Sequence, residues 1–528
     1  MAELTPTLIK DKKLGFMQSI LYINPSFWNN LRVFIDSEQL GQVLGQFNPW
    51  WSGSRGSSLP DWHRACFPEL ARWTESPPAK RAILLSGARQ VGKTTLILQM
   101  VARLLQRGIP PANILYATFD HPLLKLAGVD AVLTAWRERE ARLPGPEFLF
   151  LDEAQYVPQR ATWIKHQMDF SVERRIIFTG SAMPLLESDQ ESGVGRWHTI
   201  RLTTLSFFEY LRLRNIATDS IPKVDSLHRL FAWSKGQFLR AGETATMLIG
   251  HFHEYLLRGG FPQLARITDL SDAQRLLRED IVDKVLKRDM TALYGVRRVL
   301  ELERLFLYLC LHNGGILNLS EVSEALEMKR PTVNSFLDLL ESAHLLYRLP
   351  AFGYGKEVLK GRHKVYLADP SISPAVMLKS KAALNDAQFL GEAVENAVFK
   401  HLYARLYRQP VGFSYWRGKK NLEVDLVGNV GGVHVPFEIK YRHQHTGLAD
   451  LQGLLSFCEQ RKCPRGYVVT RALEDFGVLQ PQHINTILLK IPAALLCYWT
   501  GQAELTEAEQ SATAADLENY FGEETPGP

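Results

Sequence analysis

The stretch Ala82-Ile-Leu-Leu-Ser-Gly-Ala-Arg-Gln-Val-Gly-Lys-Thr-Thr95 decides the fold of this 528-residue chain. Its first four residues form a short apolar run typical of a buried strand, and residues 95–105 have the apolar spacing of a helix. Between them lies the spacing GxxxxGKT, so a glycine-rich loop joins the strand to the start of the helix. Backbone amides at a helix N-terminus attract phosphate groups. The stretch therefore predicts a P-loop that binds ATP.

Each residue of the loop has an expected role. Gly87 and Gly92 allow the chain to curl so that its amides point at the phosphates. Lys93 is expected to reach the β- and γ-phosphates, and the Thr94 hydroxyl is expected to bind Mg²⁺. Thr95, the next residue on the helix, completes this part of the nucleotide-binding set.

A second apolar run, Phe148-Leu-Phe-Leu, ends in Asp152 and Glu153. With a P-loop upstream, we expect Asp152 to hold the Mg²⁺ and Glu153 to polarise the attacking water. The next strand, residues 175–179, is followed by Gly180 and Ser181, where a sensor of the γ-phosphate would lie. An ordinary strand-to-loop turn is the alternative interpretation of that segment.

Composition and charge limit the class of protein. Net charge is +5, and residues 501–528 carry seven acidic and no basic side chains, which leaves +12 on the rest of the chain. A basic body suits a nucleic-acid partner. The longest apolar run, residues 486–499, is interrupted by Lys490 and Pro492, so no membrane span is expected. Five scattered cysteines give neither a disulfide framework nor a zinc site, which favours a cytoplasmic location.

The fold class expected is α/β, with a parallel P-loop sheet followed by a helical middle region and a second α/β domain. Six segments are predicted: an N-terminal extension (1–80), an ATPase core (81–215), a helical lid or linker (216–295), a helix-turn-helix region (296–385), a C-terminal α/β domain (386–500) and a disordered acidic tail (501–528).

Several motifs occur in order along the chain, and together they identify a family. They are residues 87–95, Phe119-Asp-His-Pro122, Leu151-Asp-Glu-Ala-Gln155, Thr179-Gly-Ser-Ala182, Gly195-Arg196, Leu205-Ser-Phe-Phe-Glu-Tyr-Leu211 and Gly259-Gly-Phe-Pro262. From about residue 48 to about residue 470 the chain resembles prokaryotic AAA-type ATPases that carry a winged helix and a C-terminal nuclease-like domain.

The resemblance implies that Arg89, Asp120, Ser181 and Arg196 belong to the nucleotide site or its sensors. It also implies a homo-oligomer assembled through the ATPase domain, because AAA-type sites are generally completed by a neighbouring subunit. Arg196 and Arg288 are both candidates for the arginine finger that such a neighbour receives; a surface ion pair is the alternative for each.

Residues 302–349 have the order helix, short helix, turn, helix and strand, which predicts a winged helix-turn-helix. Lys329 and Arg330 open the third helix and are the expected contacts to nucleic acid, with DNA the expected form. The alternative is the packing lid common in AAA-type ATPases. Asp338 and Glu341 on the same helix are poor partners for phosphate.

Acidic residues near the C-terminus have the order of a nuclease core. Glu392 lies at the start of a helix, Asp425 lies on a strand, and the returning strand carries Glu438 and Lys440. Carboxylate oxygens beside a lysine suit a Mg²⁺-dependent phosphodiester hydrolase, with Glu392, Asp425 and Glu438 as ligands. This helix–hairpin order resembles the PD-(D/E)xK nuclease core. An inactive, ion-paired hairpin on a nuclease-derived fold is the alternative.

Two functions follow, with ATP and Mg²⁺ as cofactors in both. The first is an ATPase that processes DNA and cuts it with Glu438, Asp425 and Lys440, while Arg417, Lys419 and Lys420 guide the phosphate backbone. The second is an ATP-driven switch or motor that binds DNA and whose nuclease-like domain is inactive. A defence effector, in which nucleotide state licenses the nuclease, is a third interpretation that nothing in the sequence requires.

Overall fold

The computed structural model describes residues 36–510, apart from 55–57, 171–172, 182–195, 354–361 and 408, and omits the side chains of 507–510. Five parallel strands form the first sheet, in the order β2-β3-β4-β1-β5. The strands are β1 (Ala82–Ser86), β2 (Ile114–Thr118), β3 (Glu147–Asp152), β4 (Arg174–Gly180) and β5 (Trp197–Arg201). The near-continuous burial of β1, β2 and β3 is typical of a parallel sheet covered on both faces. The predicted α/β class and parallel sheet are confirmed.

Helices cover both faces of this sheet. They are α1 (Ser37–Phe47), α2 (Phe67–Glu75), α3 (Lys93–Gln106), α4 (Pro122–Arg139), α5 (Arg160–Phe170) and α6 (Phe207–Leu213). Asn48, just after α1, exchanges hydrogen bonds with the backbone of Tyr116 in β2, at 2.7 and 2.8 Å. The described part of the predicted N-terminal extension is therefore packed onto the ATPase sheet.

The middle region is helical, as predicted. Its helices are α7 (Lys235–Arg258), α8 (Pro262–Ala265), α9 (Leu270–Leu276), a π-helical continuation (Leu277–Asp289) and α10 (Met290–Tyr294). Ser234 and Gln237 form a capping box at the start of α7, which satisfies the free amides there.

Three helices and a small antiparallel sheet follow. The helices are α11 (Val299–Leu311), α12 (Leu319–Ala325) and α13 (Arg330–Ser342); the strands are β6 (Ile316–Leu317), β7 (Leu346–Pro350) and β8 (His363–Leu367), in the order β6-β8-β7. The three predicted helices and the strand after them lie at the predicted places. The short β6 and the central position of β8 were not anticipated.

A six-stranded sheet forms the last domain. After α14 (Ile372–Val376) come α15 (Ala387–Leu406), β9 (Val411–Arg417), β10 (Glu423–Val430), β11 (Val433–Lys440), α16 (Gln452–Arg461), β12 (Arg465–Thr470), β13 (Gly477–Leu479) and β14 (Ile487–Pro492). Strands β9 to β11 are antiparallel neighbours, and β12 pairs parallel to β11. Strands β10 and β11, in the interior of this sheet, form the predicted hairpin.

The final described helix, α17 (Ala493–Gln510), corrects the predicted start of a disordered tail at residue 501. Ala503 and Leu505 are buried, so the helix keeps an apolar face beyond that point. Trp499 on the same helix is fully buried and donates a hydrogen bond to the Pro222 carbonyl at 2.8 Å. The acidic residues after 510 lie outside the described residues. Within the described chain, no helix combines the length and apolar character that crossing a membrane requires.

Candidate nucleotide site and carboxylate cluster

The phosphate-binding loop has the geometry that its glycines predict. Gly92 has φ of 100°, a conformation that side chains disfavour, and it caps α3. A Cβ at Gly87 would lie 2.2 Å from the Leu202 carbonyl oxygen, so no side chain fits there. Lys93 Nζ donates to the Gly87 and Ala88 carbonyls at 2.9 and 2.8 Å. Burial lowers the pKa of Lys93, which is 4 % exposed.

Asp152 lies beside this loop and accepts hydrogen bonds from three hydroxyls. The donors are Thr94 at 2.7 Å, Tyr116 at 2.9 Å and Thr179 at 2.5 Å. The Thr94 and Asp152 side chains lie together at the carboxyl ends of the strands. Their oxygens are ligands of the kind that Mg²⁺ prefers. The sequence analysis did not identify Tyr116 as a site residue. Its only signal in the sequence is a tyrosine in a strand of mainly aliphatic residues. Burial, with the charge of Asp152, raises the pKa of Tyr116.

Glu153 follows in a left-handed conformation, with φ of 54°. Its amide donates to Thr179 Oγ1 at 2.9 Å, and its carboxylate accepts a hydrogen bond from Gln155. Gln155 also donates to Ser181 Oγ at 3.1 Å. Ser181 therefore reaches Glu153 through Gln155, and Thr179 joins Glu153 to Asp152.

A cleft of about 570 Å³ opens in front of the loop. Besides Lys93 and Thr94, it is lined by Trp62, Pro262 and Arg266. The Gln99 side chain, on α3, donates to the carbonyls of Pro60 and Trp62 at 2.9 and 3.0 Å and so fixes that wall. The sequence gave no separate signal for Trp62, whereas Pro262 ends the Gly-Gly-Phe-Pro motif.

Two contacts join the nucleotide site to the helices that follow it in sequence. Arg89 donates to both carboxylate oxygens of Asp289, at 2.5 and 2.6 Å. Ser86 Oγ lies 2.8 Å from Nε2 of His344, a partly buried side chain at the turn between α13 and β7. Arg288, a candidate finger, instead pairs with Asp120 of the same chain at 3.1 Å. Asp120 and Arg288 are both about half exposed and lie at the surface.

Arg196 does not lie in the nucleotide site of its own chain, contrary to the expectation. It precedes β5, whose first residue pairs with Ala82 at the start of β1, whereas the P-loop follows the end of β1. The two ends of β1 are four residue steps apart, or about 13 Å. Arg196 pairs with Asp169 at 3.2 Å, and the residues just before it are outside the described part of the chain.

A second polar cluster lies where the sheet of β6 to β8 meets the C-terminal domain. Lys364, on β8, is 2 % exposed and points its ammonium group at three carboxylates. Its Nζ lies 3.0 Å from Glu395, 2.7 Å from Glu423 and 3.0 Å from Asp425. Tyr366, two residues along β8, donates to Glu395 at 2.7 Å.

Glu395, and not the predicted Glu392, is the helical carboxylate of this cluster. Glu392 accepts a hydrogen bond from Gln388 at 3.0 Å, on the exposed side of α15. Three residues correspond to about 300° of helical rotation, so the two side chains cannot share a position. Both acids lie in the segment Gly-Glu-Ala-Val-Glu, and the helical spacing alone did not distinguish them.

The predicted pair on β11 completes the cluster. Lys440 Nζ lies 2.5 Å from Glu438, and the Ile439 amide donates to Asp425 at 2.9 Å. Burial, with the charge of Asp425, raises the pKa of Glu438 to about 8. Burial also raises the pKa of Glu395, to about 7, although Lys364 opposes it. Glu438 Oε2 is buried and has no hydrogen-bond partner.

The cluster does not fit a magnesium ion as it stands. Mg²⁺ needs near-octahedral oxygen ligands at about 2.0–2.1 Å, and the Lys364 ammonium fills the position between Glu395 and Asp425. Across the described residues, no group of three or more His, Cys, Asp and Glu side chains is arranged to hold a metal ion. The expected ligand set of Glu392, Asp425 and Glu438 is therefore not assembled.

The predicted nucleic-acid residues are all on the surface. Lys329 and Arg330 are exposed at the start of α13, without an ion pair inside the described chain. The two acids of that helix are neutralised, because Arg348 pairs with Asp338 at 2.7 Å and Glu341 at 2.6 Å. The remaining predicted contacts are Arg417, at the end of β9, and Lys419 and Lys420 in the connection to β10; all three are exposed.

Comparison with protein families matches three parts of the chain. Residues 79–211 match the AAA domain, residues 249–383 a domain of unknown function (DUF8612), and residues 390–492 another domain of unknown function (DUF4143). The chain thus contains an AAA-type P-loop ATPase domain, in agreement with the sheet and the loop described above.

Two of the similar proteins come from bacteria. An uncharacterised protein of Haemophilus influenzae is 27% identical over 379 residues, which cover 69% of this chain and 84% of that one. An uncharacterised protein of Mycobacterium tuberculosis is 26% identical over 395 residues, which cover 70% and 74%. Both alignments are longer than the matched AAA domain (residues 79–211), so the similarity extends beyond it.

Solved structures resemble the chain only loosely. The Orc1 protein of Aeropyrum pernix in complex with DNA is 14% identical and covers 62% of this chain and 95% of its own, with a TM-score of 0.25. AMPPCP-bound DnaA from Aquifex aeolicus is 15% identical and covers 61% and 92%, with a TM-score of 0.21. Scores this low do not establish a common overall architecture.

Proposed function

We propose that this chain is an ATP-hydrolysing switch that binds DNA and does not cut it. The observation that carries the proposal is the direct contact between Thr94 of the P-loop and Asp152 of the neighbouring strand, at 2.7 Å. It brings both halves of an Mg-ATP site to one edge of the sheet. The AAA-type domain at residues 79–211 supports the same activity.

The residues divide the work of hydrolysis as follows. Lys93 turns from the loop carbonyls to the β- and γ-phosphates and offsets their charge. Thr94 and Asp152 would hold the Mg²⁺, which when bound neutralises charge on the phosphates. Glu153 accepts a proton from the attacking water and orients it, while Gln155 fixes the Glu153 carboxylate. Arg89 lies on the loop itself but is already paired with Asp289.

Nucleotide binding is proposed to reach the helical region through two contacts. Arg89 holds Asp289, which ends the π-helical segment before α10, and Ser86 contacts His344 in the turn after α13. A loop that rearranges around phosphate moves both contact points, because Ser86 and Arg89 flank Gly87. The region they reach is the one we propose to be a winged helix, in agreement with its order of three helices and a three-stranded sheet.

DNA is the proposed partner of that region. Lys329 and Arg330 stand exposed at the N-terminus of α13, where a recognition helix presents its first turn. The acids that would repel phosphate on this helix are paired with Arg348. The net charge of the chain also favours an anionic partner. Cytoplasmic location and a homo-oligomer, with Arg196 offered to a neighbour, remain part of this proposal.

The test is phosphate release from ATP with and without linear, branched and single-stranded DNA. The wild-type protein should hydrolyse ATP, and DNA should change the rate of hydrolysis. Lys93→Ala should not hydrolyse ATP, with or without DNA. If the wild type releases no phosphate under any of these conditions, the proposal is wrong. If no form of DNA alters the rate of phosphate release, the protein is an ATPase and the proposal of a DNA-binding switch is wrong.

A Mg²⁺-dependent nuclease is the second candidate. It is favoured by the convergence of Glu395, Asp425, Glu438 and Lys440 at one end of the β10–β11 hairpin, in the helix–hairpin order of a PD-(D/E)xK core. Cleavage of the same DNA in MgCl₂, lost in Asp425→Ala, would establish it. We rank it second because Lys364 fills the position in which a metal ion would have to bind.

A further inference from the structure

The ammonium group of Lys364 has the contacts of a bound cation. An ammonium carries three N–H donors. Nζ donates to Glu395 and Asp425, each at 3.0 Å, and forms an ion pair with Glu423 at 2.7 Å. The three acids come from α15 and β10 of the C-terminal domain, whereas the lysine comes from the preceding sheet. The cluster is therefore complete only when the two domains are docked.

The backbone around Lys364 cannot move away easily. Strand β8 is the central strand of its sheet, with Lys364 opposite Ile316 of β6 and Leu349 of β7. The same sheet is attached to the C-terminal domain beside the lysine, because the Phe352 amide donates to the Tyr415 carbonyl at 2.6 Å. The Tyr415 hydroxyl donates to the Arg362 carbonyl at 3.2 Å. Removing the lysine from the cluster would require this junction to open.

Charge explains why a cation is needed there. Four acidic side chains, those of Glu395, Glu423, Asp425 and Glu438, meet two ammonium groups, from Lys364 and Lys440. Buried carboxylates without counter-charge are costly, and removal of one partner of a buried ion pair strongly destabilises a protein. A divalent ion next to Asp425 would lie within a few ångström of the Lys364 ammonium and would be repelled by it.

We propose that Lys364 is the resident cation of this carboxylate cluster, and that it latches the β6–β8 sheet to the C-terminal domain and excludes divalent metal while the latch is closed. The inference concerns the nuclease-like domain alone. It rests on the proposed function in one respect: the proposed function and this inference both assume that the C-terminal domain does not bind a divalent metal ion. It stands or falls separately from ATP hydrolysis.

The test is a count of bound Mn²⁺ by equilibrium dialysis against MnCl₂, without nucleotide. Wild type and Asp425→Asn should bind the same number of ions, because the lysine already occupies the cluster. Lys364→Ala should bind one ion more than the double variant Lys364→Ala/Asp425→Asn. ATP hydrolysis by the same preparations, measured in parallel, reports on the proposed function independently.

Two outcomes would overturn the inference. Wild type binding one ion more than Asp425→Asn would mean that the lysine does not exclude metal. A folded Lys364→Ala protein that gains no ion would mean that the cluster is not a cation site opened by loss of the lysine. If Lys364→Ala does not fold, by circular dichroism, the comparison of wild type with Asp425→Asn still decides, and Lys364→Met, which keeps the length of the side chain, replaces it.

Discussion

Arg89 of the phosphate-binding loop and Asp289 of the helical region, 200 residues apart, form a two-point ion pair at 2.5 and 2.6 Å. The Asp289 side chain is 2 % exposed, and the Tyr156 hydroxyl also lies against it, at 3.3 Å. Burial alone would lower the pKa of Arg89, but the hydrogen bond and charge of Asp289 raise it. The phosphate-binding loop is thus fixed to the helix that leads to the helices proposed to bind DNA.

Loss of this pair should destabilise the protein. Asp289→Asn keeps the shape of the side chain but leaves the Arg89 charge poorly compensated, at a cost of about 2 kcal/mol, less than for a fully buried pair. A lower melting temperature should report it. The matched control is Asp283→Asn on the same helix, where the ion pair with Lys287 is about half exposed and the cost should stay within about 0.5 kcal/mol. Equal losses in the two variants would contradict the prediction.

Hydrolysis and nucleotide binding should separate at Glu153. Glu153→Gln removes the base but none of the groups that hold phosphate, so phosphate release should fall by about 10² to 10⁴ while ATP binding stays within a few-fold of wild type. Lys93→Ala should lose both. Phosphate release and binding of a fluorescent ATP analogue measure the two properties. A Glu153→Gln protein that hydrolyses ATP at half the wild-type rate would exclude Glu153 as the base.

Much of the nucleotide site was predictable because it depends on one continuous loop and one strand end. Lys93, Thr94, Asp152 and Glu153 are placed by local spacing and by the rule that parallel strands end at one edge of the sheet. Trp62 and Asp289 were not predictable in the same way, since they reach the site only through long-range packing that no local pattern encodes.

The errors have equally specific causes. Arg196 was assigned from the order of motifs, which does not say at which end of a strand a residue lies. Glu392 and Glu395 are both plausible from helical spacing, and the choice depends on which face of α15 meets β8. Lys364 gave no signal, because a lysine in a short strand is ordinary until three carboxylates from another domain surround it.

Acid should destabilise the protein through His344. Burial, with the positive charges of Lys93 and Arg201, lowers its pKa to about 3. Between the unfolded pKa near 6.5 and this folded value the unfolded chain binds more protons, so stability is lost as pH falls, by up to about 1.4 kcal/mol per pH unit. His344→Asn suits the φ of 55° and should reduce the slope of melting temperature against pH from 6.5 to 5. An unchanged slope, equal to that of the exposed control His483→Asn, would refute it.

DNA binding should depend on the first turn of α13. Replacing Lys329 and Arg330 with alanine should remove two proposed phosphate contacts, so affinity should fall for all DNA sequences. The slope of log K against log salt concentration should become shallower by the amount expected for about two contacts. Fluorescence anisotropy of labelled duplex DNA at several salt concentrations measures both quantities. Arg275→Ala, at an exposed arginine paired with Asp272 on α9, is the control for loss of surface charge. A double variant with the wild-type salt slope would remove this helix from the interface.

The two glutamates of α15 provide a matched pair for the carboxylate cluster. Glu395→Gln removes a charge that contacts Lys364 at 3.0 Å and the Tyr366 hydroxyl at 2.7 Å, so we expect it to lower the melting temperature by several degrees, for a cost of about 1–3 kcal/mol. Glu392→Gln alters only a hydrogen bond to Gln388 on the same helix and should change stability by less than about 0.5 kcal/mol. The same substitution three residues apart thus tests which face of the helix meets β8. A larger loss of stability in Glu392→Gln than in Glu395→Gln would mean that Glu395 is not the helical carboxylate of the cluster.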